Sequence, residues 1–88
     1  MVFAIYGPIG RDDLPGLCAR VCALFAAAEP GEALCDVSGV GAGAATVDAL
    51  ARLQLAAQSY RITVRMRGAG EDLRGLVHFM GLSDVLPE

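Results

Sequence analysis

Few residues of this chain carry reactive side chains. Among them, the three cysteines and the one histidine are the first candidates for metal binding. Cys18 and Cys22 are four residues apart, so they share one face of a predicted helix, whereas Cys35 falls in a predicted strand. A zinc site needs a fourth ligand, and His78 belongs to a distant predicted helix. We therefore interpret the cysteines as small buried hydrophobic residues, and we predict no metal site and no cofactor.

A loop of small residues follows the second predicted strand, which spans residues 33–37. In an α/β domain the loop at the carboxyl end of a strand usually holds the working groups. Residues 41–45 read GAGAA and include no nucleophile, acid, base or metal ligand. Asp48, on the next predicted helix, has no carboxylate neighbour of the kind that acid–base pairs need. The loop therefore predicts a binding surface, and we expect no enzymatic activity.

Residues 39–44 also fit the pattern G-x-G-x-x-A, which follows a strand and opens a helix in dinucleotide-binding proteins. Small side chains there let a phosphate reach the N–H groups at the start of a helix. The acidic residue expected about 20 positions later is absent, and residues 60–62 read YRI instead. A small domain that senses a nucleotide or another anion is therefore the alternative to a protein-binding surface.

The composition narrows the class of partner. The formal net charge is −3, and every basic residue is Arg. This mild acidity argues against nucleic acid, which favours a basic face. No apolar run reaches the roughly 18 residues that indicate a membrane-spanning helix, and residues 1–9 lack the pattern of a signal peptide. We expect no direct membrane insertion and a cytoplasmic location.

Strand-like and helix-like segments alternate along the chain. Strands are predicted at residues 2–6, 33–37 and 61–67, and helices after Asp13, from about Thr46 and after Gly70. Thr46 either caps the second helix or falls in its first turn. Short loops between alternating elements imply right-handed crossovers and parallel strands. Residues 1–88 are thus predicted to form a single small α/β domain, with a three- or four-stranded, mostly parallel sheet and about three helices.

The spacing of apolar residues predicts which faces are buried. The first predicted helix has a broad apolar face, to which Leu24 belongs, and the second has Leu50 and Leu53 on its inner face. The second strand is apolar almost throughout, as expected of a central strand covered on both sides. In the third strand apolar residues alternate with Arg and Thr, which predicts one buried and one exposed face.

A family resemblance depends on the order and spacing of several segments spread over nearly the whole chain. These segments are Gly7-Pro8, CDVSGV (35–40), VDALARL (47–53), VRMRG (64–68), EDLRGL (71–76) and MGLSDVLP (80–87). Together they resemble the STAS domain, the fold of anti-sigma-factor antagonists and of the STAS subunit of bacterial lipid-asymmetry ABC transporters. The resemblance implies a further strand before the first one, which this chain lacks or keeps only as Met1-Val2.

The resemblance also implies a switch residue that is missing here. Regulatory STAS domains carry Asp-Ser or Asp-Thr and then glycines after the second strand, and the partner kinase phosphorylates that hydroxyl. Counted back from Leu53, the hydroxyl falls within residues 43–45, which read GAA. Ser38 and Thr46 are the nearby hydroxyl residues and thus the candidate phosphoacceptors, although neither matches the family position.

The predicted function is that of a protein-interaction module, similar to an anti-sigma factor antagonist that takes part in partner switching. The implied partner is a kinase-type anti-sigma factor or the ATPase of an ABC transporter. Small loop side chains allow close approach of a partner backbone, and polar helix residues, Gln54 among them, supply specificity at the rim. The surface is assigned to Gly41, Gly43, Ala44, Ala45, Thr46, Asp48 and Arg52. A third interpretation, a structural subunit that dimerises through its polar strand, depends on Thr63 and Arg65.

Overall fold

The computed structural model describes residues 1–87, and strands and helices alternate within them as the sequence predicts. The strands are β1 (Val2–Tyr6), β2 (Gly31–Gly39) and β3 (Ile62–Arg67), and the helices are α1 (Leu14–Ala27), α2 (Ala44–Gln58) and α3 (Glu71–Phe79). A short 3-10 turn, Arg11–Asp13, leads into α1. No helix in residues 1–87 combines the length and the apolar character needed to cross a lipid bilayer.

The three strands form one parallel sheet in the order β1-β2-β3. Cys35 of the central strand lies between Phe3 and Met66. Both crossovers step in the same direction across the sheet, and right-handed crossovers of this kind place their helices on the same face. The predicted fold class, a small α/β domain with a parallel sheet, is confirmed, and residues 1–87 form three strands.

One apolar core lies between the sheet and the helices. Alternate residues of each strand point into it because successive side chains of a strand point to opposite faces. Phe25 of α1 contacts Phe3 edge-on in this core, with their ring centroids 5.9 Å apart. The strand residues of the core are Phe3, Ile5, Ala33, Cys35, Val37, Ile62, Val64 and Met66.

The opposite face of the sheet carries no helix within the described part of the chain. Leu34 and Asp36 of β2 are only half-buried on this face, and Val2 and Arg65 flank Leu34 on the neighbouring strands. The expectation that β2 is covered on both sides is therefore wrong. Two crossovers in the same direction leave one face open, and only neighbouring side chains shield the central strand there.

Leu24 of α1 also departs from its predicted place. It is exposed, and it lies along a groove between α1 and β1 instead of facing the core. The expectation from helical spacing is wrong at this position because the sheet has only three strands. The broad apolar face of α1 is wider than the sheet edge against which it packs.

Gln54 of α2 closes the outer edge of β3. Its side-chain amide accepts a hydrogen bond from the Val64 N–H and donates one to the Val64 carbonyl, both at 2.8 Å. Its Nε2 also donates to the Val85 carbonyl at 2.8 Å, and the Met66 N–H donates to the Pro87 carbonyl at 2.8 Å. The expectation that Gln54 lies at an exposed rim is wrong, since the residue is 6% exposed and takes the place of a fourth strand.

The segment after α3 turns back along β3 without forming a strand. The turn begins at Gly81, whose φ of 73° suits glycine. The Leu82 N–H donates to the Val77 carbonyl and the Gly81 N–H to the His78 carbonyl, both at 3.0 Å, which is the Schellman pattern of a helix end. Leu86 is then buried in the core, so the tail covers the edge at which a fourth strand would pair.

Candidate functional site

The glycine loop, residues 40–43 between β2 and α2, lies where the carboxyl ends of the three parallel strands meet. It borders a hollow of about 450 Å³ that is closed on its other side by Gly7, Pro8 and Ile9. It also borders a second hollow, of about 390 Å³, which reaches Glu71 and Asp72 at the start of α3. A partner that contacts this loop can therefore enter the concave surface on either side of it.

Two of the glycines leave open space around the loop. A Cβ atom added to Gly41 or Gly43 would meet no heavy atom within 4 Å, and neither residue has a positive φ. A Cβ on Gly39, by contrast, would lie 2.7 Å from the ring of Tyr6. Gly39 is thus needed for packing within the domain, whereas the absence of side chains at Gly41 and Gly43 matters only to what approaches from outside.

α2 begins earlier than predicted, because Ala44 and Ala45 are already helical. Gly43 is the N-cap residue, and its carbonyl accepts a hydrogen bond from the Val47 N–H at 3.1 Å. Thr46 is therefore not the cap but a residue of the first turn, and it is 5% exposed. Of the residues assigned to the binding surface, Thr46 is the one that lies in the interior, so its hydroxyl is not presented to a kinase in this conformation.

Ser38, the other candidate phosphoacceptor, is exposed but bonded to Asp36. Its Oγ donates to the Asp36 Oδ1 at 2.7 Å, and its N–H donates to the same oxygen at 2.9 Å. The hydroxyl bond and then the N–H bond lower the pKa of Asp36; partial burial opposes this effect, and the charge of Arg67 adds to it. Asp36 is thus an ionised group that fixes the exit of β2.

The exposed side of α2 continues the surface away from the loop. Asp48 and Arg52 form an ion pair one helical turn apart, with 3.2 Å between Oδ2 and Nε. Exposed pairs of this kind contribute about 0.3–0.5 kcal/mol, so they exchange readily for contacts with a partner. Leu55, which is 63% exposed, follows on the same side and was not assigned from the sequence. Leu55 does not share the helical spacing of Leu50 and Leu53, and this difference is the sequence signal that could have identified it as exposed.

The cysteines and the histidine lie apart from this surface. Burial, and to a smaller extent the charge of Asp36, raises the pKa of the Cys35 thiol to about 12. Cys18 and Cys22 are half-buried free thiols on α1, and His78 is exposed on α3. Across residues 1–87, no cluster of three or more His, Cys, Asp or Glu side chains is arranged to hold a metal ion.

The G-x-G-x-x-A pattern lacks the surroundings of a dinucleotide site. Ligands of open α/β sheets bind where successive crossovers go to opposite faces, and the order β1-β2-β3 has no such point in the described chain. The last small residue of the fingerprint normally permits close packing of helix on strand, whereas Ala44 is exposed. The loop therefore offers the N–H groups of a helix start without the topological switch point of a dinucleotide site.

The chain matches no protein-family model, and its sequence has no match among the curated proteins. The function proposed for it therefore depends on the surface described above and on the STAS resemblance of its sequence.

Proposed function

We propose that the chain is a non-enzymatic protein-interaction module of STAS type, which docks a partner protein on its glycine loop and the exposed side of α2. The observation that carries this proposal is the open space at Gly41 and Gly43, followed along α2 by an exposed face that is small or polar except for Leu55, about 16 Å from the start of the helix at 1.5 Å per residue. Interfaces combine apolar anchor residues with polar neighbours in this way. The docking surface consists of Gly41, Gly43, Ala44, Ala45, Asp48, Arg52 and Leu55.

The chemistry of this surface describes the partner. Gly41 and Gly43 admit a main chain to close range, and Leu55 requires an apolar pocket about its own size. The N–H groups of the first turn of α2 attract a carboxylate, because the start of a helix carries partial positive charge. Asp48 and Arg52 present both signs of charge at the rim, so the matching rim of the partner also carries both.

The proposed partner is a kinase-type anti-sigma factor, with the chain acting as an antagonist-like regulator. In regulatory STAS domains a phosphate at the start of α2 adds close to two negative charges and blocks docking. The corresponding pair of positions here, Gly43-Ala44 or Ala44-Ala45, has no hydroxyl. Docking on this surface is therefore competent without dephosphorylation.

Affinity co-purification of the tagged chain, with identification of the bound proteins by mass spectrometry, tests this proposal. Leu55→Arg and Gly41→Leu are expected to abolish capture of an anti-sigma kinase, since they place a charge at one end of the docking surface and a bulky side chain at the other. Leu55 is 63% exposed and a Cβ atom at Gly41 meets no heavy atom within 4 Å, so both variants are expected to fold. Capture of only the chain itself would contradict the proposal.

Two matched variants serve as controls. Phe79→Arg places the same charge on an apolar residue of α3 that is 86% exposed, and Gly75→Leu adds the same side chain to a glycine of α3 with open space around it. Both are expected to retain the partner. If they lose it to the same extent as Leu55→Arg and Gly41→Leu, the docking surface is assigned to the wrong face.

A transporter subunit is the second candidate function, favoured by the ending Asp84-Val85-Leu86-Pro87, which resembles the STAS subunit of ABC lipid transporters. In the same co-purification an ABC ATPase would then replace the anti-sigma kinase. The same four variants apply, because the candidate docking surface does not change.

A sensor of nucleotides or other anions is the alternative of a different class. Its ligand would bind the N–H groups at the start of α2, about 12 Å from Arg52 at 1.5 Å per helical residue. Arg52→Glu is therefore expected to weaken protein docking and to leave binding of ATP or inorganic phosphate unchanged. Chemical shifts of the residue 41–46 amides, followed by NMR during titration with either anion, detect such binding directly.

A further inference from the structure

The sheet has two outer edges, and residues 1–87 cover only one of them. The edge of β3 is taken by the side-chain amide of Gln54 and the carbonyl of Pro87. Within residues 1–87, β1 pairs with β2 alone and lies at the other end of the sheet. The question is what binds the outer edge of β1.

The register of β1 fixes which backbone groups point outward. The Met1 carbonyl accepts the Leu34 N–H at 2.9 Å, and the Gly7 N–H donates to the Gly39 carbonyl at 3.1 Å. Odd-numbered residues of this segment thus turn their backbone groups toward β2, as alternate residues of a paired strand do. The outward N–H and carbonyl groups belong to Val2, Ala4 and Tyr6.

The side chains along this edge are unusually apolar for an exposed strand. Val2 is 61% exposed and Tyr6 is 75% exposed, and the exposed Leu24 lines the groove next to β1. β1 reads VFAIY, without the charges or proline that natural proteins place on open edges to prevent pairing. Its sequence is suited to pairing with another strand.

We propose that β1 pairs antiparallel with β1 of a second copy of this chain, with Ala4 on the two-fold axis. Ala4 then lies opposite Ala4 of the second copy, and Val2 lies opposite Tyr6. The two three-stranded sheets become one continuous sheet. This inference is independent of the docking surface on α2.

A second copy satisfies every outward group of β1, because these groups are symmetric about Ala4. In an antiparallel pair, hydrogen-bonded positions recur at every second residue, so Val2, Ala4 and Tyr6 all find partners at once. A shift by one residue would place outward groups opposite inward ones. The pairing also sets a β-branched residue against an aromatic one and brings no like charges together along the strand.

The first test removes one outward N–H and leaves the β1–β2 ladder intact. Ala4→Pro does this, since proline is tolerated on an edge strand where the N–H faces away from the sheet. Ala4→Val keeps the N–H and is the matched control. By sedimentation equilibrium, we expect the wild-type chain and Ala4→Val to dimerise at 100 µM or below, and Ala4→Pro to dimerise at least tenfold more weakly.

The second test reports the register and does not depend on how well proline is tolerated. Val2→Lys with Tyr6→Glu places opposite charges across the two-fold axis, whereas Val2→Lys with Tyr6→Lys places like charges there. We expect the dimer of the first double variant to be at least tenfold tighter, and the difference to vanish in 1 M NaCl, where screening acts over about 3 Å. A parallel pairing would place position 2 opposite position 2 and would remove the advantage of opposite charges.

Circular dichroism of each variant confirms that the domain remains folded. A wild-type chain that is monomeric at 100 µM overturns the proposal, and so does a dimer that responds to neither set of variants. A dimer that is weakened by substitution at Thr63 instead would assign self-association to the polar strand β3. Loss of the dimer with retained capture of the docking partner would separate this edge from the proposed function.

Discussion

Adjacent residues of β2 show how strongly the environment of a side chain differs between one strand position and the next. Cys35 points into the core, where burial raises the pKa of its thiol to about 12. Asp36 points to the open face, where two hydrogen bonds from Ser38 lower the pKa of its carboxyl group. The same strand therefore keeps a thiol protonated and a carboxyl group ionised at neutral pH.

The protection of Cys35 is testable by alkylation. In the native chain at pH 8, iodoacetamide is expected to modify Cys18 and Cys22 and to leave Cys35 unmodified, because the thiolate is the reactive form. Mass spectrometry of the intact chain should show two additions, and a third only after denaturation in urea. Rapid modification of Cys35 under native conditions would contradict its place in the core.

The bonds from Ser38 to Asp36 predict an acid-dependent contribution to stability. A carboxyl group with a lowered folded pKa stabilises the fold above its ordinary pKa of 3.8, and this contribution is lost as the pH falls through the folded pKa. Ser38→Ala should raise the pKa of Asp36 toward the ordinary value, as measured by NMR titration of the side-chain carboxyl carbon. Asp36→Asn is the control, since it removes the titration altogether; an unchanged pKa in Ser38→Ala would exclude the hydroxyl as the cause.

At the scale of elements, the edge of β3 depends on one side chain. Gln54→Leu removes three hydrogen bonds and leaves the buried Val64 groups without their partners, which should lower the free energy of unfolding by about 2–4 kcal/mol. Gln58→Leu, on an exposed position of the same helix, should change it by less than about 0.5 kcal/mol. Urea denaturation of both variants makes the comparison, and equal losses would mean that Gln54 does not hold this edge.

The same element shows how far the sequence could predict the fold. Apolar spacing predicts that α2 is a helix and that Leu50 and Leu53 are buried, and both are confirmed. It cannot predict that Gln54 is buried, because Gln54 fills a position at the edge of β3 where no fourth strand pairs, and the tail near Val85 covers it there. The prediction for Leu24 is wrong for a related reason. The spacing of apolar residues along a helix does not show how wide the sheet beneath that helix is.

The candidate site, like the fold, could be predicted from the sequence only in part. The glycine loop is located from the sequence because a strand, a run of small residues and a helix occur in order. The inward turn of Thr46 depends on α2 beginning at Ala44, a shift that no N-cap side chain marks. Leu55 is apparent as part of the surface only once the buried side of α2 is known.

At the scale of the whole molecule, the domain is one-sided: helices cover one face of the sheet and the described chain leaves the other open. Leu34 and Val37 of β2 test this directly, since Leu34 lies half-buried on the open face and Val37 is fully buried in the core. Leu34→Lys should remain folded and lose no more than about 1 kcal/mol of unfolding free energy, because the long lysine side chain reaches solvent. Val37→Lys should abolish cooperative urea unfolding, since an unpaired charge in the core costs as much as a small domain's entire stability. Pairing of β1 with a second copy extends the sheet sideways, so the difference in stability between Leu34→Lys and Val37→Lys remains. A partner that covered the open face would instead make Leu34→Lys destabilising, but only when that partner is present.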